Sequence, residues 1–433
     1  MKLARHDNIL AIKTASGSVV GFHALNLQVA HLDELAWEAI ETSGKNLEKP
    51  RVSDAAAEVL NEIAEWNDEK DPAATDIVLK QEVRSLSINV AQVCNLKCTY
   101  CAAGGDGSYS NPVKTVHLPT IYDQIRAFLH DVPAGESFTI TFFGGEPLIA
   151  LEAIEAIARF ARLQVAGRDI HLRFTTITNG TLVTAKAAEL LASLDCHVTV
   201  SIDGPPDVND ISRPTRGGLG STKRTLDGLA QLQAVRNRLG SLSAAAVFGR
   251  HHNGVLATYR FLRQFDFDSI KFDFAAELND GETSRAYTEE LLKTADEAFT
   301  HGGERELRKL SMFNTYFSAL DQQRRILNHC GAGKDQLQTD ARGKISVCQW
   351  FIGDAKEEVG AGAKLDREKL AQYASPLTEL NGCGSCWARH LCGGGCMFVN
   401  RLKTGSKHSS DAEFCTRTRS TIAKAIEYYA QAR

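Results

Sequence analysis

Three closely spaced cysteines, Cys94, Cys98 and Cys101, are the first residues in this sequence that could do chemistry. Thiolates at this spacing can bind three irons of one 4Fe–4S cluster and leave the fourth iron without a protein ligand. An iron with an open position can bind a substrate or a cofactor. The alternative is three ligands of a structural zinc site, although zinc sites usually combine one close pair of cysteines with a distant second pair.

A second group of cysteines lies near the C-terminus, where 7 of the 11 cysteines fall in a glycine-rich segment between Cys330 and Cys415. Such a segment has little apolar core of its own, so we expect metal sites to stabilise it. An odd number of cysteines in a chain without a secretory signal favours metal ligands over disulfides. The isolated Cys196 begins an apolar strand and is expected to be a core residue.

The overall composition is that of a globular protein, with 433 residues, 43% hydrophobic residues, 24% charged residues and a net charge of −4. It excludes collagen, low-complexity sequence and general disorder. So small a net charge predicts neither a nucleic-acid nor a membrane partner. No window approaches the roughly 18 apolar residues of a membrane-spanning helix, and the first residues lack a signal sequence, so a cytoplasmic location is predicted.

The elements that must position the cysteines alternate between short β-rich and helical segments from about residue 84, which is typical of βα units around a parallel sheet. Six strands are fewer than the eight of a complete barrel, so an α/β fold with a partial (β/α)6 barrel is expected. Active-site groups should then lie at the carboxyl ends of the strands. The strands are predicted at 85–90, 138–143, 171–177, 197–202, 243–248 and 269–274.

Residues 1–82 are predicted to form a small α+β domain, joined to the barrel by the charged linker 67–72. The barrel is assigned to 83–305 and the Cys-rich domain to 306–433. Within the first domain, short apolar runs around Ser16-Gly17-Ser18 indicate a hairpin, and two amphipathic helices follow. The runs are at 9–13 and 19–23 and the helical patterns at 33–42 and 54–66.

Further motifs follow the predicted strands. Phe143-Gly144-Gly145-Glu146-Pro147 ends the second strand, where glycines permit close backbone approach and a carboxylate can accept from a cation. A simple strand-to-helix turn is the alternative for this segment. Polar residues at the ends of the third and fourth strands, and an arginine beyond them, could be site residues or turn and cap residues; they are Asn179, Ser201, Asp203 and Arg213.

The cysteine triplet, with Tyr100 before its last member, resembles that of the radical S-adenosylmethionine (SAM) superfamily, and the Gly-Gly-Glu-Pro stretch is similar to the family's GGEP motif. The resemblance implies a 4Fe–4S cluster whose open iron is chelated by SAM, and a 5′-deoxyadenosyl radical that abstracts hydrogen from an unreactive C–H bond. It implies that Glu146 and a backbone oxygen accept from the SAM ammonium and that Arg213 meets the SAM carboxylate. The implied SAM pocket comprises Tyr100, Gly144, Gly145, Glu146, Asn179, Ser201, Asp203 and Arg213.

The C-x2-C-x5-C-x3-C pattern from Cys383 to Cys396 resembles the SPASM extension of radical SAM peptide maturases. The resemblance implies two auxiliary 4Fe–4S clusters, and hence three clusters in all, with a zinc-binding module as the alternative. One auxiliary cluster would be held by Cys383, Cys386, Cys392 and Cys415. The other would have only three protein thiolates, from Cys330, Cys348 and Cys396, and its fourth ligand is either a substrate thiolate or a non-cysteine side chain or water.

The resemblance thus implies a maturase of a ribosomally synthesised precursor peptide, with a cysteine thioether crosslink as the preferred product. An auxiliary cluster would bind the substrate cysteine and accept the electron that oxidative bond formation releases. The implied partners are the precursor peptide and an electron donor such as flavodoxin or ferredoxin. Carbon–carbon crosslinking, backbone excision and epimerisation remain open, and no residue is predicted as a general acid or base.

Gln349 argues against a formylglycine-generating sulfatase maturase, because such members have an aspartate, proposed as general base, directly after the cysteine that corresponds to Cys348. An amide cannot take up a proton usefully. A non-catalytic Fe–S or zinc protein would explain the cysteines but not the Gly144–Pro147 motif. Residues 1–82 are similar to part of a leader-peptide recognition domain, which binds by adding a strand to a sheet edge, and a structural cap on the barrel is the alternative.

Overall fold

A computed structural model describes residues 1–45, 54–67, 81–249, 254–278 and 281–433. The strands are β1 Lys2–His6, β2 Ile9–Lys13, β3 Val19–His23, β4 Val29–Leu32, β5 Ser85–Ala91, β6 Glu136–Gly144, β7 Ile170–Thr178, β8 His197–Ser201, β9 Ser241–Phe248, β10 Ser269–Phe274, β11 Gln336–Thr339, β12 Lys344–Ser346, β13 Glu358–Ala361 and β14 Lys364–Leu365. The helices are α1 Glu34–Lys45, α2 Asp54–Asn67, α3 Leu118–His130, α4 Leu151–Val165, α5 Ala185–Ser193, α6 Pro206–Ser212, α7 Thr222–Ala234, α8 Val255–Leu262, α9 Gly281–Leu307, α10 Ser311–Asp321, α11 Arg367–Ala371, α12 Leu377–Leu380, α13 Arg389–Cys392, α14 Met397–Thr404 and α15 Ala412–Gln431. None of the helices in these ranges is long and apolar enough to cross a membrane.

The chain divides into two compact units that are interleaved in sequence. Unit 1 comprises Met1–Val78, Gly281–Cys330 and Ser375–Arg433, and unit 2 comprises Leu79–Asp280 and Gly331–Ala374. The three domains predicted from the sequence, with boundaries after residues 82 and 305, stay a prediction, because compactness does not test which segments fold separately.

Unit 2 contains the predicted barrel. Strands β5 to β10 are parallel neighbours in chain order, which confirms the α/β fold and the six predicted strands. Apolar side chains on one face of the sheet pack under the helices: Phe142 stacks on Phe174 at 5.9 Å, and the guanidinium of Arg162 on α4 lies 5.7 Å from the Phe174 ring. The opposite face carries mainly small and polar residues, such as Thr141 and Thr175, whose hydroxyls are 2.8 Å apart.

A seventh parallel strand extends this sheet. Strand β11 pairs with β5, and β12, β13 and β14 continue the sheet as an antiparallel meander. No pattern in the sequence predicted this seventh strand. Two buried amides join the two strands, since Gln338 Nε2 donates to Asn89 Oδ1 at 2.8 Å.

Unit 1 contains an antiparallel meander, β1-β2-β3-β4, which includes the predicted hairpin of β2 and β3. Helices α1 and α2 cover it around a core of Ile9, Trp37, Ile40 and Ile63. Both helices were predicted from their amphipathic periods, whereas β1 and β4 were not. Most of the predicted linker 67–72 lies outside the described residues.

Candidate functional site

The carboxyl end of β5 leads directly into the loop that carries the first three cysteines. Its backbone is fixed by the end of α6 and the residues after it: Lys97 N donates to Pro214 O at 2.8 Å and Thr99 N to Ser212 O at 2.9 Å. The Cys94, Cys98 and Cys101 side chains are all partly exposed. The loop is therefore held on both sides of Cys98, and all three cysteines keep some exposure.

The environment of the Cys94 sulfur suits a metal-bound thiolate. The backbone N–H of Leu96 lies 3.4 Å from Sγ and the Asn179 amide nitrogen lies 3.8 Å from it, so two N–H groups face the sulfur. Hydrogen bonds to cluster sulfurs are among the ways a protein tunes an Fe–S centre. Without a metal, burial raises the pKa of the Cys94 thiol to about 12, and that of Cys98 in the same direction. A bound cation would offset that penalty.

Among the described residues, no three His, Cys, Asp or Glu side chains meet closely enough to share one metal ion. The thiolates of a 4Fe–4S cluster bind separate irons around a cube, so they stand farther apart than the ligands of a single ion.

The two glycines at the end of β6 are required by close packing on the cysteine loop. A Cβ on Gly144 would lie 2.1 Å from Ala91 O, and one on Gly145 would lie 2.3 Å from Val93 O. Gly144 also has φ of +136°, which disfavours side chains. The backbone is held there by hydrogen bonds from Gly145 N to Ala91 O at 2.8 Å and from Glu146 N to Val93 O at 3.0 Å. These contacts set the position of the loop relative to β6.

Glu146 is 1% exposed and ties the end of β6 to the end of β7. Its carboxylate accepts from Thr178 Oγ1 at 2.7 Å, Asn179 N at 2.8 Å and Leu148 N at 3.1 Å. Burial raises the pKa of Glu146, and these three donors oppose that shift. Because all three partners donate, the ionised form is the one that the geometry fits. A carboxylate has about four acceptor positions, so one is left for a ligand cation; its predicted contact with the SAM ammonium stays a prediction.

Asn179 links three parts of the site. Its side-chain nitrogen donates to Asn95 Oδ1 at 2.9 Å, and its own oxygen accepts from Thr181 N at 3.0 Å. Asn95 lies inside the cysteine loop and also donates to Thr181 Oγ1 at 2.7 Å. Asn95 was not predicted as a site residue, although its place between two candidate ligands was a usable signal. Ser201 lies half-buried at the carboxyl end of β8.

Asp203, Tyr100 and Arg213 form one hydrogen-bonded polar group, in which Asp203 and Arg213 are buried and Tyr100 is partly buried. Asp203 is fully buried and accepts from the Tyr100 hydroxyl at 2.8 Å and from Val247 N at 3.0 Å, while Arg213 Nη1 lies 3.5 Å from its carboxylate. Arg213 also donates to the Tyr100 hydroxyl. The group fastens the aromatic residue of the cysteine triplet to the ends of β8 and β9. Arg213 retains further N–H donors, so its predicted contact with the SAM carboxylate is still a prediction.

Two aromatic residues near the triplet, Tyr109 and Trp350, were not in the predicted site. Tyr109 is buried together with Ile352, and Cys101 and Trp350 pack against this pair. Burial raises the pKa of the Tyr109 hydroxyl, with the neighbouring thiols of Cys101 and Cys348 adding to the effect. The Gly-rich loop before Tyr109 was visible in the sequence, but its contact with the distant Ile352 was not.

Four of the C-terminal cysteines lie in one neighbourhood of unit 1. Burial, together with the nearby thiols of Cys415, Cys383 and Cys386, raises the pKa of the Cys392 thiol to about 12. Cys386 N donates to Cys383 O at 2.9 Å, which fixes the turn between those two. The set predicted to hold one auxiliary cluster is therefore brought together.

Three consecutive left-handed glycines, Gly393 to Gly395, follow Cys392, with φ of 71°, 84° and 80°. A Cβ on Gly394 would lie 2.6 Å from the Leu377 backbone, so the chain can reverse there only without side chains. The turn separates Cys392 from Cys396, so that consecutive cysteines of the motif need not serve the same cluster.

The remaining predicted ligands are divided between the units. Cys330 and Cys396 belong to unit 1 and Cys348 to unit 2, and their shared cluster stays a prediction. Gln349 begins a short helical turn directly after Cys348. Cys196 is fully buried, as expected for a core residue.

Residues 88–262 match the radical SAM superfamily. This chain contains a radical SAM domain. The strand-end residues described above lie in or beside that domain.

The sequence similarity to curated relatives extends beyond this domain. An uncharacterized protein of Methanocaldococcus jannaschii is 30% identical over 196 residues, 44% of this chain, and the chain spans 62% of its length. The radical SAM cyclopropyl synthase TigE of Paramaledivibacter caminithermalis is 21% identical over 385 residues, 85% of this chain and 79% of that protein. The mycofactocin maturase MftC of Mycobacterium tuberculosis is 26% identical over 335 residues, 72% of this chain and 78% of that protein.

Solved structures share the fold. Native anSMEcpe with bound AdoMet has a TM-score of 0.67 at 19% identity and covers 80% of this chain and 98% of its own. Streptococcus suis SuiB bound to precursor peptide SuiA has a TM-score of 0.55 at 15% identity and covers 95% of this chain and 99% of its own. At these identities the likeness concerns the fold alone.

Proposed function

We propose that this protein is a radical SAM maturase that modifies a ribosomally synthesised precursor peptide. One observation carries the proposal. The loop with the three cysteines, the buried Glu146 and the Asp203–Arg213 pair lie together at the carboxyl ends of parallel strands. Relatives named as maturases and the SuiB complex with its precursor peptide support a peptide substrate.

Cys94, Cys98 and Cys101 would hold the cluster that binds SAM, and the C-terminal cysteines would hold two auxiliary clusters. Bound SAM supplies the 5′-deoxyadenosyl radical that takes a hydrogen atom from the peptide. The chain's own residues do the positioning. Glu146 and Asn179 fix the cysteine loop against β6 and β7, and Asp203 fixes Tyr100 and Arg213 at the edge of the proposed SAM pocket.

Within this proposal, the preferred reaction joins a peptide cysteine sulfur to a carbon of the same peptide. The carbon would give one hydrogen atom to the 5′-deoxyadenosyl radical, which becomes 5′-deoxyadenosine, the thiol would give one proton to solvent, and one electron would pass to an acceptor. The proposed acceptor is the auxiliary cluster of Cys330, Cys348 and Cys396. The product is then lighter than the precursor by two hydrogens for each crosslink.

Carbon–carbon bond formation is the second candidate, because the relative that aligns with 85% of this chain is named a cyclopropyl synthase. This reaction also removes two hydrogens, so mass alone does not distinguish it from thioether formation. Alkylation does, since a thioether consumes a cysteine thiol and a carbon–carbon bond leaves the thiol reactive.

The test uses the full chain, reconstituted anaerobically with iron and sulfide, together with a cysteine-containing precursor peptide from a neighbouring reading frame. Three clusters predict about 12 irons per chain. With SAM and dithionite we expect 5′-deoxyadenosine and a peptide that has lost two hydrogens and one alkylatable thiol. A peptide that loses the hydrogens but keeps every thiol favours carbon–carbon bond formation. Zinc in place of iron, with no SAM cleavage, would contradict the proposed function.

A further inference from the structure

The loop that carries Cys94 and Cys98 is part of the protein surface. Lys97, between the two cysteines, is exposed, and its backbone is bonded to Pro214. Arg216 lies on the same segment, with its side chain 54% exposed and its Nη1 donating to Cys94 O at 3.3 Å. Two cations therefore stand on the outer side of the backbone that holds two of the three thiols.

Two large apolar side chains on the segment around Pro214 and Arg216, within residues 211–219, are exposed. Leu219 is 70% exposed and Ile211 is 54% exposed. Gly220 packs against the Asp210 side chain so closely that a Cβ would lie 2.3 Å from its Oδ2, which brings the segments that carry Ile211 and Leu219 together. Single exposed apolar residues need no explanation, but two beside a cationic loop are typical of a protein contact.

The exposure of Leu219 is built into a fixed turn. Thr215 N donates to Leu219 O at 2.8 Å, Leu219 N donates to Thr215 Oγ1 at 3.0 Å, and Gly218 N donates to Thr215 O at 2.9 Å. Three hydrogen bonds within five residues hold Leu219 outward. A side chain that is already ordered when a partner arrives loses little conformational entropy on binding.

The charges of this surface indicate the charge of the protein that would bind there. The carboxylate of Asp106 lies 3.4 Å from Arg216 Nη2 and offsets part of that charge. The Asp210 carboxylate accepts from Thr222 N at 2.7 Å and from Thr222 Oγ1 at 2.6 Å. Among the described residues, no carboxylate forms an ion pair with Lys97. The whole chain has a net charge of −4, so a cationic, partly apolar surface beside the cysteine loop is a local feature. Such a surface attracts an acidic protein and steers its approach.

We propose that Lys97, Ile211, Arg216 and Leu219 form the docking surface for an acidic one-electron carrier protein of the flavodoxin or ferredoxin type. We call these four residues the donor surface. This inference rests on the proposed function, because the electron is delivered to the cluster of Cys94, Cys98 and Cys101. The carrier loses one electron, the cluster gains one, and no bond forms or breaks in the docking step.

The test compares two reductants on the same variants of the reconstituted full chain. A reduced flavodoxin must dock, whereas dithionite is small and needs no docking surface. For Lys97→Glu and Leu219→Asp we expect 5′-deoxyadenosine formation driven by flavodoxin to fall at least about fivefold at low salt, with dithionite-driven formation and iron content unchanged. Arg238→Glu is the control for charge reversal, since Arg238 is exposed and precedes β9, at the opposite end of the strands.

A second readout does not depend on turnover. Calorimetric titration with oxidised flavodoxin should give a dissociation constant that rises with salt, and Lys97→Ala should weaken binding without introducing a negative charge. Equal flavodoxin-driven rates in all variants would overturn the donor surface. So would a loss of peptide modification with dithionite, which would assign the surface to the peptide. If the unaltered protein cleaves no SAM with either reductant, the proposed function fails instead.

Discussion

Replacing Glu146 with glutamine tests whether this buried carboxylate organises the site. The substitution keeps the shape but exchanges one acceptor oxygen for an NH2 group. If the remaining oxygen keeps the bonds from Thr178 and Leu148, the new NH2 faces the backbone N–H of Asn179, which now lies 2.8 Å from a carboxylate oxygen. Two donors then face each other in a site where the side chain is 1% exposed.

The expected cost follows from these contacts. Leaving one buried N–H without an acceptor costs about 1–3 kcal/mol, and the two remaining bonds lose their charge-assisted part. We therefore expect Glu146→Gln to lower the free energy of unfolding by about 2–4 kcal/mol. The displaced Asn179 should also withdraw its amide from the Cys94 sulfur, so cluster loading should fall together with stability.

The assay is anaerobic urea denaturation followed by tryptophan fluorescence, with an iron count on the same samples. Thr178→Val is the matched partner variant, because it removes one donor and leaves the carboxylate intact. The double variant should lose less than the sum of the two single losses, since both act on one contact. An unfolding free energy within about 0.5 kcal/mol of the unaltered protein would refute the organising role of Glu146.

Three further predictions concern neighbouring parts of the molecule. Gly145→Ala should displace the cysteine loop, because its Cβ would lie 2.3 Å from the carbonyl oxygen of Val93. Loss of bound iron and of 5′-deoxyadenosine formation checks this prediction. The control Gly217→Ala, where a Cβ meets nothing within 4 Å, should change neither. Asp203→Asn should lower the free energy of unfolding by about 3–5 kcal/mol, because it leaves the buried Arg213 guanidinium without its charged partner. Equal stability of this variant and of the control Asp207→Asn, at an exposed position, would contradict the Asp203–Arg213 pairing. Cys392→Ser should remove about four irons while 5′-deoxyadenosine formation continues, and an unchanged iron count would reject its place in an auxiliary cluster.

The elements that a local pattern encodes were predicted well. Each of β5 to β10 is a run of alternating or apolar residues that begins and ends at turn residues, and the helices between them have the apolar period of a buried face. By contrast β11 is four residues long and polar at alternate positions, and its partner β5 lies some 250 residues earlier in the chain, so no local signal reports it. Helix α15 begins at Ala412, where Asp411 caps it by accepting from Phe414 N at 2.8 Å.

The candidate site divides in the same way. Motif residues such as Glu146 could be found because their spacing is local and chemically distinctive. The hydrogen bonds that Glu146 makes within the protein were harder to predict. Its carboxylate accepts from three groups on other parts of the fold or of its own turn. The roles of Asn95 and Arg216 depend on contacts between loops that follow different strands, and only the folded chain brings those loops together.

The central claim is that Cys94, Cys98 and Cys101 hold the cluster that cleaves SAM. The most direct measurement is 5′-deoxyadenosine formation, read by mass spectrometry, from SAM and dithionite with the reconstituted protein and its Cys98→Ala variant. We expect the unaltered protein to form 5′-deoxyadenosine and the variant to form none while it retains the iron of the C-terminal cysteines. No 5′-deoxyadenosine from the unaltered protein, or undiminished formation by the variant, would contradict it.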